Sequence, residues 1–154
     1  MKDLSNNIAT AVSIKNAVKS AAENGTGVDL QGYEGATVIV DVGAEGDTLS
    51  SSVHFEVSLE HSDDNSTFTD VAQADIVDGT ISSGGIFLKL DGTANGNPDT
   101  AGEIFRVGYR GGKRYIRVVL AKTGTHSNGT PLGAFVIKSH ARHTGDNAFT
   151  PHKV

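Results

Sequence analysis

The chain has no cysteine and no tryptophan, and it has only three prolines among 154 residues. Without cysteine it has no disulfide, no thiolate metal site and no thiol nucleophile. No apolar run approaches the ~20 residues of a membrane-spanning helix, so we expect no contact with a membrane. The first seven residues are polar and lack the apolar segment of a signal peptide, which predicts a protein made and used without export.

Positive charge is absent from a long part of the chain. Residues 20–88 contain thirteen acids and neither lysine nor arginine, whereas residues 103–154 contain nine lysines and arginines and two acids. The net charge of −5 therefore combines two strongly charged halves. If these halves form opposite surfaces, a neighbouring copy can dock acid to base; alternatively, they pair with each other inside one fold. The negative total argues against direct binding of nucleic acid.

Apolar and polar residues alternate in several segments, which is typical of half-buried β-strands. In residues 53–61 the apolar side chains are assigned to one face, while His54 and His61 are assigned to a solvated polar face beside Glu56 and Glu60. The other alternating or apolar segments are 36–43, 105–109, 116–120, 86–90 and 132–137. With Gly-rich turns between them, these six to eight strands predict an all-β, single-domain antiparallel β-sandwich or barrel of jelly-roll-like type.

Three parts follow from this pattern: an N-terminal arm (1–24), the β-sandwich domain (25–139) and an irregular C-terminal tail (140–154). Within the arm, residues 8–23 are rich in alanine and could form a helix ended at Asn24-Gly25. The apolar residues there make a poor helical stripe, so we favour an extended arm or an edge strand.

Residues 105–120 predict a β-hairpin with its turn at Gly111-Gly112. This hairpin collects positive charge, and we expect a partner interface on it. Its basic residues are Arg106, Arg110, Lys113, Arg114 and Arg117.

Six histidines and many acids raise the question of a metal site. His140, His143 and His152 fall in the cation-rich tail, where positive charge opposes metal binding, so we favour packing at an interface. The turn Asp63–Thr67 alternates oxygen-bearing side chains as a calcium loop does, but it lacks the central glycine and the final glutamate. A simple turn is the favoured interpretation, calcium remains an alternative, and we expect no cofactor.

No catalytic motif is recognisable: there is no nucleophile elbow, phosphate-binding loop or His-Glu-x-x-His sequence. We therefore expect a protein that is not an enzyme. Sugar-binding modules stack sugars on exposed tryptophan or tyrosine rings. Here Tyr33, Tyr115 and Phe149 are predicted to be free for a partner, which leaves a glycan- or host-binding module as an alternative.

Three stretches carry a family resemblance when they are taken together. They are Val28–Tyr33, Leu59–Val71, which contains Ser-Asp-Asp-x-Ser-x-Phe-x-Asp-Val, and Lys113–Val118. In this order they resemble small structural proteins encoded near the head genes of tailed bacteriophages and gene transfer agents, over roughly residues 8–140. The resemblance implies a β-sandwich added to the capsid lattice as cement or decoration, or a neck or tail component, and it supplies no catalytic residues.

The main prediction is a capsid decoration protein, made in the bacterial host cytoplasm and located on the virion's outer capsid surface. Its expected partners are the major capsid protein and copies of itself, as a trimer or a larger symmetric set. A neck or tail position and a glycan-binding role are the alternatives. Besides the basic hairpin residues, the predicted interface comprises Ile8, Val12, Ile14, Tyr33, His140, Arg142, His143 and Phe149.

Overall fold

The strands form two antiparallel sheets that pack on each other, and residues along the long strands alternate between buried and more exposed positions. The computed structural model describes residues 7–93 and 102–142, and the predicted all-β sandwich is confirmed there. Eleven strands occur in these ranges, more than predicted because several are only two or three residues long. They are β1 (Ile8–Lys19), β2 (Glu23–Asn24), β3 (Val28–Asp29), β4 (Tyr33–Val42), β5 (His54–Ser62), β6 (Thr69–Asp70), β7 (Ile76–Asp78), β8 (Ile86–Leu90), β9 (Glu103–Tyr109), β10 (Tyr115–Thr123) and β11 (Thr130–Ala141).

The first sheet has five strands in the order β1-β11-β4-β9-β7. The second sheet is built around β10 and β5, which pair along nine residues. Strands β2 and β3 both pair with the outer side of β10, and β6 and β8 both pair with β5. A short 3₁₀ helix, Gln73–Asp75, precedes β7. In the described ranges, no helix is long and apolar enough to cross a bilayer.

The core lies between the sheets and is filled by every second residue of the long strands. Val38 and Val40 of β4, Leu59 of β5 and Ile116 and Val118 of β10 all have no more than 1% of their surface exposed. Burying such aliphatic side chains stabilises the fold by roughly 1.5–3 kcal/mol each. The same alternation fixes the register, because a slip by one residue would turn each apolar set outward.

The N-terminal segment is an edge strand, so the helical alternative is wrong. Strand β1 pairs antiparallel with β11, and its register shifts between Val12 and Ile14 and again between Ile14 and Ala17. These irregularities hide the period of two in the sequence. At Ser13 the strand also reaches the second sheet, because Ser13 Oγ accepts a hydrogen bond from the Val118 N–H at 2.9 Å.

The predicted hairpin over residues 105–120 is wrong. Strand β9 lies between β4 and β7 in the first sheet, whereas β10 belongs to the second sheet. Residues 110–114, here called the arch, carry the chain across the end of the sandwich. An added Cβ at Gly111 would lie 2.5 Å from Tyr109 Oη, so glycine allows the chain to turn against that ring. A Gly-Gly pair therefore suits an arch between sheets as well as a hairpin turn.

The assignment of two histidines to a solvated face is also corrected. His61 has the same parity as Leu59, so it points inward at the end of the sandwich, where its Nδ1 lies 3.0 Å from Tyr109 Oη. His54 does lie on the other face of β5, but it is only 6% exposed. Its Nε2 lies 3.6 Å from Glu56 Oε1.

Strand β11 extends into the segment that was predicted to be the C-terminal tail (140–154). Strand β11 continues through His140 to Ala141, which pairs with Tyr33 of β4. His140 has a φ of 57°, a left-handed conformation that is uncommon outside glycine. The predicted interface residues His143 and Phe149 lie outside the described residues.

A buried hydroxyl provides the first test of the fold. Thr130 is fully buried at the start of β11, and its Oγ1 has no hydrogen-bond partner. An unsatisfied buried polar group costs about 1–3 kcal/mol, so Thr130→Val, which keeps the shape, should raise the free energy of unfolding by about 1 kcal/mol. Urea denaturation measures this change.

The matched control for this substitution is Val136→Thr, at a fully buried position of the same strand. It adds a hydroxyl to the core and should lower the free energy of unfolding by about 1–3 kcal/mol. A Thr130→Val protein that is less stable than the original would contradict the assignment of an unsatisfied hydroxyl.

Candidate functional site

The first and last described strands meet at one end of the sandwich. Ile8 of β1 lies opposite Ser139 of β11, and Ala141 lies opposite Tyr33. The Arg142 N–H then donates a hydrogen bond to the carbonyl oxygen of Gly32, in the turn that precedes β4, at 2.9 Å. The arch of residues 110–114 crosses the same end. We call this region the end surface.

Two adjoining grooves open on the end surface. The first, with a volume of about 450 Å³, lies between the turn before β4 and the arch. The second, about 390 Å³, continues along the outer side of β4 and β9, and both are lined by Glu34, Gly35, Ala36 and Tyr109. Seven of the predicted interface residues line one groove or the other: Tyr33, Lys113, Arg114 and Arg142 in the first, and Arg106, Arg110 and His140 in the second.

A bidentate ion pair forms one wall of the end surface. Arg114 Nε donates to Asp29 Oδ1 at 3.0 Å, and Arg114 Nη2 donates to Asp29 Oδ2 at 2.7 Å. These hydrogen bonds hold the pKa of Asp29 below its ordinary value and raise the pKa of Arg114. Because Asp29 lies on β3 and Arg114 at the end of the arch, the pair fixes the arch to the second sheet.

Three further basic residues of the site have acidic partners within the chain. Lys113 Nζ pairs with Asp63, and Arg142 Nε lies 3.5 Å from Glu34 Oε1. On the first sheet, Arg106 Nη2 lies 3.5 Å from Asp78 Oδ2. Arg110 Nε instead donates to the Ala74 carbonyl oxygen at 3.0 Å. Each ion pair joins the basic half of the chain to the acidic half, so the charge segregation is partly neutralised within one fold, and exposed pairs of this kind contribute only about 0–1 kcal/mol each.

Lys138 ties the two sheets together beneath the grooves. It has the inward parity of Val136, and its Nζ donates to the Asp29 carbonyl oxygen at 3.2 Å. Burial lowers its pKa. The ammonium also lies 4.7 Å from the centre of the Tyr33 ring. One face of this ring is thus occupied by a cation, which disfavours sugar stacking there.

Tyr109 holds the arch from inside. Its Oη accepts a hydrogen bond from the Lys113 N–H at 3.2 Å and bonds to His61 Nδ1 at 3.0 Å. Burial raises the pKa of Tyr109 to about 12, so the phenol stays protonated over the physiological range. Sequence analysis did not select Tyr109 or Lys138, although a polar residue at an inward position near a strand end is a usable signal for both.

Four predicted interface residues line neither groove. Ile14 is 1% exposed and belongs to the core, so its proposed place in an interface is wrong. Val12 is 56% exposed on the outer face of the first sheet, and Ile8 is half-buried in β1. Arg117 lies on the second sheet, where its Nε donates to Glu60 Oε2 at 2.6 Å and its guanidinium stacks on Phe68.

Residues Asp63–Thr67, for which the sequence favours a simple turn with calcium as the alternative, form a turn around the Asp64 carboxylate. Asp64 Oδ1 accepts hydrogen bonds from the Thr67 N–H at 2.8 Å, the Ser66 N–H at 2.9 Å and Ser62 Oγ at 2.8 Å. Asp63 points to Lys113 instead. In the ranges 7–93 and 102–142, no three histidine or acidic side chains converge as metal ligands would.

Comparison with known proteins adds no family assignment: no protein-family model matches the chain, and no curated protein matches it.

The hydrogen bonds to the Asp64 carboxylate predict that part of the free energy of unfolding is lost in acid. The pKa of Asp64 is about 2 in the folded protein, against an ordinary value of 3.8. A lowered folded pKa means that the ionised group stabilises the fold above pH 3.8, and that this contribution is lost as the pH falls toward about 2. Asp64→Asn should therefore reduce the pH dependence of the urea midpoint within that window.

Asp70→Asn serves as the control because the Asp70 side chain is exposed on β6, close to this turn. It should leave the pH dependence of the original protein in place. Equal pH slopes for the original protein and for Asp64→Asn would contradict the role given to the Asp64 carboxylate.

Proposed function

We propose that this protein is a structural component of a virion, a decoration or cement protein that binds the outer surface of a capsid without catalytic activity. The observation that carries the proposal is a convergence at the end surface. Tyr33 meets there the first and last described strands and four basic residues: Arg110, Lys113, Arg114 and Arg142. The sequence resemblance to phage head-region proteins supplies the class of partner, the major capsid protein. A rigid β-sandwich with such an end surface suits repeated docking on a lattice.

The first groove suits an extended segment of a capsid subunit. Glycines line it, Gly32 and Gly35 among them, so a partner backbone can approach closely. The Arg142 side chain is 63% exposed and keeps donors for carboxylate or carbonyl oxygens of that segment. Its own ion pair with Glu34 Oε1, at 3.5 Å, is long enough to be exchanged for such contacts.

Binding to purified capsids that lack the protein tests the proposal. The original protein should bind stoichiometrically, and Arg142→Glu should weaken binding at least about fivefold, because it places a negative charge beside Glu34 in the first groove. Binding should also weaken as salt rises from ~50 to ~500 mM, since these contacts are exposed. Cosedimentation with the shells measures both effects.

Lys122→Glu is the matched control, because Lys122 is an exposed cation toward the opposite end of β10. It changes the net charge equally and should bind as the original protein does. Equal weakening by both substitutions would indicate a general charge effect and remove the end surface from the proposal. Absence of binding by the original protein would overturn the decoration role.

Imaging of labelled particles separates decoration from the neck or tail alternative. A decoration protein should give signal over the whole head. Signal at a single vertex or along the tail would move the proposal to that position.

A further inference from the structure

The outer face of the first sheet carries large apolar side chains that are exposed among the described residues. Val12 is 56% exposed and Ile104 is 73% exposed, and Phe135 and Ile39 are half-buried between them. Cross-strand pairing places Val12 opposite Phe135, and Phe135 opposite Ile39. The result is an apolar band that runs across β1, β11 and β4.

On this face, four residues form a four-cornered array of alternating character, here called the square, with sides of ~4.8 and ~6.7 Å. Ile39 of β4 lies opposite Arg106 of β9, and two residues further Asp41 lies opposite Ile104. One diagonal of the square is therefore apolar, Ile39 to Ile104, and the other is charged, Asp41 to Arg106. The Arg106 side chain is 71% exposed, and Asp41 is half-buried. Asn16 Nδ2 donates to one oxygen of Asp41 at 3.0 Å, and a carboxylate accepts bonds at both.

We propose that this face binds a second copy of the same chain, in a two-fold pair whose axis follows the Ile39–Ile104 diagonal. A rotation about that line brings Ile39 and Ile104 onto their own counterparts in the second copy. It brings each end of the charged diagonal close to the position of the other end, so each Asp41 meets the Arg106 of the other copy. A two-fold interface must be self-complementary in this way. The square therefore identifies a second copy, rather than an unrelated protein, as the occupant.

The geometry of the rest of the face agrees with this axis. With strands ~4.8 Å apart and alternate residues ~6.7 Å apart, the axis crosses the strands obliquely, and the strands of the two copies cross at about 70°. The same rotation carries Phe135 of one copy over Thr37 and Gly108 of the other. These are small residues on the outer side of β4 and β9. A bulky side chain thus meets two small residues, with the exposed side chain of Val77 beside Gly108.

This inference does not rest on the virion role, and it differs from the trimer expected from the sequence. The Asp41–Arg106 contact would replace or share the exposed Arg106–Asp78 pair, whose nitrogen and oxygen lie 3.5 Å apart. An exposed pair of that kind opposes the exchange by no more than about 1 kcal/mol.

Sedimentation of the purified full chain over about 1 µM to 1 mM tests the pairing, since mass action makes it depend on concentration. The original protein should be a dimer at the upper end of this range. In an Asp78→Asn background, which removes the internal partner of Arg106, either Asp41→Arg or Arg106→Asp should weaken the dimer at least about tenfold. The two together should restore it, because the charges are exchanged on both sides.

Ile104→Lys tests the apolar diagonal without touching the core, and it should also leave a monomer. Val18→Lys is its control, at a residue 61% exposed on the far part of β1, and it should remain dimeric. Circular dichroism verifies that each variant is folded. A monomer at all concentrations, a trimer, or a double charge exchange that fails to restore the dimer would each overturn the proposed pairing, whatever the capsid-binding result.

Discussion

The interior between the two sheets is the constraint on which the other features depend. Val38, Val40, Ile116 and Val118 all belong to this buried cluster, and their burial fixes the register of β4 and β10. Because side chains alternate, the same register decides what the outer face presents. Asp41 and Arg106 face outward for the same reason that Val40 and Val107 are buried. The square of alternating residues is therefore as firmly specified as the core itself.

The charge segregation of the sequence acts mainly within the fold. Acidic β5 pairs directly with basic β10, and Arg117 lies opposite Glu60 in that ladder. Arg114 reaches Asp29 on the other side of β10. Neighbouring strands of opposite charge favour the correct pairing over alternatives, since like charges placed opposite each other are destabilising. A long acidic run followed by a basic one is thus better explained by strand order than by assembly.

The sequence predicted what depends on local pattern and missed what depends on tertiary placement. The alternation around residues 53–61 located β5 within one residue, and the apolar run 86–90 coincides with β8. The Gly111-Gly112 turn did not reveal that β9 and β10 belong to different sheets, since glycines permit either connection. The bulges in β1 obscured its period of two, which left a helix as the alternative to an edge strand. The sequence selected Tyr33, Lys113 and Arg142 one by one, but their convergence on the end surface depends on how the sheets pack.

The two proposed surfaces have a geometric consequence when they are taken together. Each end surface lies where β4 begins and β11 ends, so it points along the strand axis. A two-fold pair with strands crossing at about 70° directs both end surfaces toward the same side rather than in opposite directions. Such a pair can hold two neighbouring subunits of a lattice at once. The second contact is then intramolecular, so two first grooves, one in each copy, that bind weakly one at a time yield a much tighter bivalent attachment. Bridging of subunits, the mechanical task of a cement protein, would then come from the pairing of two rigid sandwiches.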